Sequence, residues 1–271
     1  MRTRRAASAG PAERKLFRGA VPPSYRLSAV GRALVIARPE ALEFVCRAVE
    51  GAGSLYAYAA AHPEAVGLEG RGVAYAVPAP GGRWVVRHAR RGGALARWLG
   101  DRYLRLGRPR PVKELAVSAA ARALGVETPE VVAAVVYPAG IFYRADVASR
   151  FVPESMDLAT ALFGPKALAG EDRVLAAAAA GRLVRAAHER GVVHPDLNLK
   201  NVLLQWTTRP PRAYLLDLDR CRVVPRLSAY RREAMLRRFW RSWRKWEARA
   251  GVRLAGGERE AFERAYGGFD G

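Results

Sequence analysis

The chain has 271 residues, half of them apolar, so one large domain with two lobes fits the length and general disorder is excluded. Its 46 basic against 25 acidic residues leave a net charge of +21, and only five of those cations are lysines. Such a charge favours a polyanionic partner (nucleic acid, an anionic membrane surface or a phosphorylated substrate), and composition alone does not select among them.

Residues 1–20 are basic, with no apolar stretch of the secretory kind, and read as a disordered tail. "RALVIA" (32–37) predicts a strand, and "PEALEFVCRAVEGAG" a helix opened by Pro39 and closed by Gly51. Two β-rich segments, 68–77 and 83–93, flank the turn "PAPGG" and predict a hairpin. A helix is expected over 110–126 with Pro111 at its start, then strands at "VVAAVVYP" and "IFYRADVASRF". The second half reads as helical. "EDRVLAAAAAGRLVRAAHERG" carries Leu175, Ala179, Leu183 and Ala187 on one face and ends at Gly191. Two apolar strands follow, within "VVHPDLNLKNVLL" and "RAYLLDLDR", and a final helix at 229–251 is expected to end the fold. The cysteines, Cys46 and Cys221, fit no metal spacing and read as reduced, partly buried thiols. No run reaches the roughly 20 apolar residues that span a bilayer, so the chain is expected to be soluble or to lie on a membrane without crossing it.

"HPDLNLKNVLL" (194–204) crowds hydrogen-bonding groups immediately before a buried-looking strand. Phosphoryl transfer from a nucleotide needs that chemistry: a carboxylate to orient the acceptor hydroxyl, oxygen ligands for Mg²⁺ and cations on the phosphates. His194, Asp196 and Asn201 fill the pattern H-x-D-x-x-x-x-N, and Asp217 arrives sixteen residues later at the end of a second strand. The whole arrangement is specific, whereas the bare motif is not. Upstream, Gly70 and Gly72 in "EGRG" would let the backbone approach phosphates, although a plain hairpin turn accounts for them equally. Arg87 ends the strand "WVVRH" where protein kinases place lysine, and Glu114 on the next helix is its expected partner.

Together "GRG", "WVVRHARRGG", "KELAVSAAARALGVETPEVVAA", "YRADVASRFVPESMDLATAL", "HPDLNLKNVLL" and "LLDLDR" resemble the lipopolysaccharide core kinases, in order, over about residues 30–250. The resemblance implies an α+β, protein-kinase-like bilobal fold, with a strand-rich N-lobe at about 21–150 and a mostly helical C-lobe at about 151–271. It implies transfer from ATP, with Mg²⁺, to a sugar hydroxyl of Kdo-lipid A. By motif position Asp196 would be the acceptor-side base, Asn201 and Asp217 the Mg²⁺ ligands, and Arg87 with Glu114 the nucleotide-side ion pair.

Lys200 is expected either at the transferred phosphoryl group or as a solvated loop lysine. His194 is assigned to holding the loop. Arg90 and Arg91 are weaker candidates for binding anionic groups of the acceptor. The stripe Leu236, Phe239, Trp240 and Trp243 reads as core, with Arg237, Arg241, Arg244 and Lys245 largely elsewhere. These features place the chain at the cytoplasmic face of the inner membrane, peripheral on an anionic surface, with no nucleic-acid partner. A heptose kinase or an aminoglycoside- or choline-type kinase shares the central motif. An arginine-rich nucleic-acid binder or a kinase-like scaffold would not need the ordered carboxylates.

Overall fold

A computed structural model describes residues 21–68, 73–89, 101–105, 107–254 and 256–267. The backbone forms two compact units: the described residues up to Ala119 with Glu130–Phe151, and Ala120–Pro129 with those from Val152 onward.

The first unit is built on one antiparallel sheet. Its strands are β1 (Arg26–Val30), β2 (Ala33–Ala37), β3 (Val66–Leu68), β4 (Ala74–Ala79), β5 (Gly82–His88), β6 (Tyr103–Leu104), β7 (Val131–Ala139) and β8 (Phe142–Arg150). They run in the order β1-β2-β7-β8-β5-β4-β3, with β6 also on β8. The expected hairpin is β4–β5, in register from Ala74↔Arg87 to Ala79↔Gly82, and its turn uses Gly81 at a left-handed φ of 75°. Alternation then sends successive side chains to opposite faces. Leu34, Ile36, Ala134, Val136 and Val147 meet Val112 and Leu115 of α3 (Arg110–Ala123) on one side. Val35, Trp84, Val86 and Val135 meet α1 (Pro39–Ala52) and α2 (Leu55–Ala61) on the other.

Helix α1 runs past the expected stop at Gly51, because the left-handed residue that ends it is Gly53, at φ 76°. Helix α2 was not anticipated, nor was β1. The start of α2 rests on a buried acid. Asp146 of β8 is fully buried; its Oδ2 accepts from Tyr56 N (2.9 Å) and Tyr137 Oη (2.8 Å), and its Oδ1 meets His88 Nδ1 at 2.6 Å. Tyr137 Oη accepts in turn from Leu55 N, and Ser54 Oγ from Ala57 N. The orphan N–H groups of the first turn are thereby satisfied by buried or capping oxygens. His88 Nε2 lies 3.0 Å from Asp101, and the bond to Asp146 raises the His88 pKa above its usual value. Burial raises that of the Tyr137 phenol.

The second unit carries β9 (Ser155–Asp157), α4 (Leu158–Phe163), α5 (Gly170–Glu189), β10 (Val192–Val193), β11 (Val202–Gln205), β12 (Arg212–Leu215), β13 (Arg222–Val223), α6 (Ala229–Ala250) and α7 (Gly257–Gly267). The expected strand pair is the hairpin β11–β12, with β9 on its other edge. Helix α6 does not end the fold. Helix α7 packs its Phe262 on Phe239 of α6, stacked at 4.6 Å, and edge-on to Trp240 at 5.0 Å. Its backbone also lies against α5, where a Cβ on Gly181 would stand 2.4 Å from Phe262 O. The expected stripe of α6 divides, with Phe239 and Trp243 buried, Leu236 and Trp240 half-buried, and Met235 buried beside them. Both cysteines are free and buried.

Candidate active site

The site begins where α5 stops. Gly191 follows the helix at a left-handed φ of 73°, and a Cβ there would overlap Val224 O at 1.9 Å. Only glycine lets β10 run on close to this strand and pair with β13. The chain emerges at His194, which is buried. Its Nε2 lies 2.9 Å from Leu216 O and its Nδ1 3.3 Å from Asp196 N. One nitrogen must donate to a carbonyl while the other accepts from an amide, which a neutral imidazole does and a protonated one cannot. Burial lowers the His194 pKa, in the direction this requires.

Asp196 O accepts from Asn198 Nδ2 (2.8 Å) and Asn201 Nδ2 (2.9 Å), and Asn198 Oδ1 caps the short 3₁₀ turn Leu199–Asn201 by accepting from Lys200 N. The two asparagines therefore fold the loop onto itself, which is the local reason for its polar composition. With Nδ2 committed, the Asn201 amide oxygen is left as the side chain's acceptor. The hairpin β11–β12 then closes with Leu216 N donating to Asn201 O at 2.9 Å, which sets Asp217 one residue from that junction. Asp217 is exposed, holds a left-handed φ of 59°, and makes no hydrogen bond or ion pair through its carboxylate among the described residues. A non-glycine residue in that region stores on the order of 1–3 kcal/mol of strain.

The Asn201 amide oxygen and the Asp217 carboxylate are oxygen donors of the type a hard cation takes, and neither has a bonded partner among the described residues. No group of three or more His, Cys, Asp or Glu side chains with metal-binding geometry occurs among the described residues.

Helix α6 braces the loop at three points along one face. Met235 Sδ accepts from His194 N (3.1 Å), Ser242 Oγ accepts from Leu199 N (3.4 Å), and Arg238 Nη1 donates to Asp196 Oδ1 (2.9 Å). The sequence pattern set Arg237, Arg241, Arg244 and Lys245 apart from the aromatic stripe and did not single out Arg238. The spacing 235, 238, 242 is the helical signal that could have found it. Lys200 points away from Asp196: its Nζ lies 3.8 Å from Asp157 Oδ2 and 5.4 Å over the Trp246 ring.

In the first unit Arg87 and Glu114 are brought together as an ion pair, with Glu114 buried and the Arg87 side chain 35% exposed. Gly70, Gly72, Arg90 and Arg91 lie outside the described residues.

A catalytic-loop carboxylate, an asparagine five residues on and a hairpin that returns an aspartate beside it define a protein-kinase-like phosphotransferase. The description "Lipopolysaccharide kinase (Kdo/WaaP) family" matches residues 61–266, and the chain belongs to that family. It is a sugar kinase acting on the lipopolysaccharide inner core, and membership implies ATP as phosphoryl donor. The 3-deoxy-D-manno-octulosonic acid kinase of Vibrio cholerae is 29% identical over 68% of this chain and 74% of its own length. That of Xanthomonas oryzae pv. oryzae is 34% identical over 73% and 76%. A solved structure of WaaP in complex with acyl carrier protein shares the fold, with a TM-score of 0.51, 17% identity and coverage of 76% of this chain and 79% of that one.

Proposed function

We propose that this chain transfers the γ-phosphoryl group of ATP to a hydroxyl of 3-deoxy-D-manno-octulosonic acid (Kdo) in lipid-linked inner core, with Asp196 as the base. The observation that carries this is the state of Asp196: one carboxylate oxygen is held by Arg238, and Oδ2 makes no hydrogen bond among the described residues. Asp196 Oδ2 orients the acceptor hydroxyl and takes its proton as the new P–O bond forms and the bond to ADP breaks. His194 and the Asn198 and Asn201 amides hold the loop so that the carboxylate is fixed before substrate arrives.

Asn201 Oδ1 and the Asp217 carboxylate would hold Mg²⁺, which when bound neutralises phosphate charge. Arg87 is assigned to the nucleotide phosphates and Glu114 to orienting it. Gly70 and Gly72 would serve the same phosphates through backbone N–H groups. Lys200 must leave Asp157 to reach the transferred phosphoryl group.

Membrane attachment is part of the same reading. Arg241, Arg244 and Lys245 of α6 are exposed, no described helix is long and apolar enough to cross a membrane, and the acceptor is lipid-linked and anionic. We therefore assign the enzyme a peripheral position on the cytoplasmic face of the inner membrane, with Arg90 and Arg91 among the groups that meet the acceptor's anions.

The test is ADP release with Kdo-lipid A and Mg-ATP. Asp196→Asn should lose on the order of 10²–10⁴-fold in turnover, the usual worth of a general base, with little change in ATP affinity. Asp217→Asn should lose most of the Mg²⁺-dependent rise in melting temperature that ATP confers. Near-full activity of Asp196→Asn, or turnover of a heptose acceptor in place of Kdo, would refute the assignment.

A further inference from the structure

Among the described residues Arg238 is the one α6 cation in contact with the Asp196 carboxylate. Met235 and Ser242, its neighbours on that face, touch backbone N–H groups of the loop and already fix the helix against it. Arg238 adds a charge at 2.9 Å from Asp196 Oδ1, with 47% of its own side chain and 32% of the aspartate's in solvent. Exposed ion pairs contribute little stability, so holding α6 in place is a weak explanation for its position. A second explanation is chemical. A guanidinium carries five N–H donors in a planar fork, and only one of them is engaged here among the described residues. Both side chains are partly in solvent, so the unengaged donors and Asp196 Oδ2 are open to a bound acceptor.

Asp196 has no other cation in contact with it among the described residues. Arg237 is paired with Glu233 one turn earlier on α6, and Lys200 is drawn to Asp157 and Trp246. Arg241, Arg244 and Lys245 are exposed further along the helix. An acidic sugar that presents its hydroxyl to Asp196 would therefore meet Arg238 as the cation nearest the reacting group, and arginine suits a carboxylate because its fork matches both oxygens.

We propose that Arg238 is the acceptor-specificity residue: it pairs with Asp196 while the site is empty of acceptor, and in the complex its remaining N–H groups bind the carboxylate of the sugar acid whose hydroxyl Asp196 orients. This rests on the acidic-sugar reading above. Binding the acceptor then leaves the Asp196 bond in place and adds a second anion to the same guanidinium, so selectivity for an acid over a neutral sugar is built into the base's own partner.

The experiment compares kcat/KM for lipid-linked Kdo and for the same acceptor with its carboxylate converted to the methyl ester, in the wild type, Arg238→Gln and Arg238→Lys. Loss of one charge-assisted contact corresponds to about 10- to 100-fold, so Arg238→Gln should fall by that factor on the acid, chiefly through KM, and by only a few-fold on the ester. Arg238→Lys keeps the charge without the fork and should fall between. The wild-type preference for acid over ester should therefore collapse in Arg238→Gln. Equal losses on acid and ester, or no loss on either, would overturn the proposal and leave Arg238 as a positioning residue or a surface pair. Melting temperatures measured alongside guard against misfolding, and a folded Arg238→Lys with wild-type acid-to-ester selectivity would also overturn it. A wild type that turns over neither acceptor would overturn the Kdo reading itself, a result distinct from the failure of Arg238 alone.

Discussion

Asp146→Asn tests whether the buried acid of β8 organises the first unit. The carboxylate accepts three bonds, from His88 Nδ1 at 2.6 Å, Tyr137 Oη at 2.8 Å and Tyr56 N at 2.9 Å. The amide keeps the shape and one acceptor oxygen. If that oxygen stays with Tyr137 and Tyr56, the new NH₂ faces His88, whose neutral tautomer can accept from it while Nε2–H donates to Asp101. No buried group is then orphaned, and the cost reduces to one charge-assisted bond, about 2 kcal/mol. For a chain of this size that is about 4–8 °C in Tm. Asp146→Ala strands the donors as well and should cost roughly twice as much.

The pH dependence carries the sign. His88 has its pKa raised, first by the bond to Asp146, so the folded state binds protons more tightly than the unfolded chain. The stability this adds is fully present below the unfolded histidine value of about 6.5 and is lost as pH rises through the raised value. Asp146→Asn removes that cause, so its deficit against wild type should be largest near pH 6 and shrink toward pH 9. Thermal melts across that range decide the matter. A variant within 1 °C of wild type at pH 6, or a deficit that grows with pH, would refute the reasoning.

Gly181→Ala should reverse the usual helix rule. In an exposed helix interior the change stabilises by about 1 kcal/mol, but a Cβ 2.4 Å from Phe262 O forces α5 and α7 apart, and overpacking of that kind costs about 1–3 kcal/mol. A raised Tm would show that the helices separate freely. Glu114→Gln removes the charge from the carboxylate paired with Arg87; the KM for ATP should rise about tenfold, the worth of one charge-assisted contact, with the melting temperature lower by only a few degrees because Arg87 is partly solvated. An unchanged KM for ATP would remove that pair from the nucleotide assignment.

What was legible from sequence was what depends on near neighbours along the chain. The β4–β5 hairpin announced itself by its glycine turn, and His194, Asp196 and Asn201 by a spacing that one short loop imposes. Arg87 and Glu114 were linked through the protein-kinase pattern of a strand-end cation and an acid on the next helix, since nothing local ties residues 27 positions apart. Asp146 reads in sequence as the polar member of an alternating strand. It is buried because α2 covers that face of the sheet, and α2 itself is too short to show a periodic stripe. Helix α7, flanked by glycines and rich in charge, has little apolar signal beyond Phe262 and Tyr266, so it passed as a tail. Arg238 was legible only as a position on the face of Met235 and Ser242: its partner lies 42 residues away, and the pairing exists only once those two residues have docked the helix.

The packing of α7 also orders events at the ribosome. The first unit has all of its strands once Phe151 has been made, and can fold while the rest is still being translated. The second unit cannot. Until residues 257–267 emerge, the small-residue side of α5 at Gly181 and the rings of Phe239 and Trp240 have no cover. Helix α6, which holds Asp196 through Arg238, keeps its contact with α4 through Trp243 and Phe163 but lacks the Phe262 stack over the same interval. A nascent or proteolytically shortened chain missing α7 would thus expose an aggregation-prone surface and carry a slack catalytic loop, so the cell meets incomplete copies as targets for chaperones and proteases and not as working phosphotransferases.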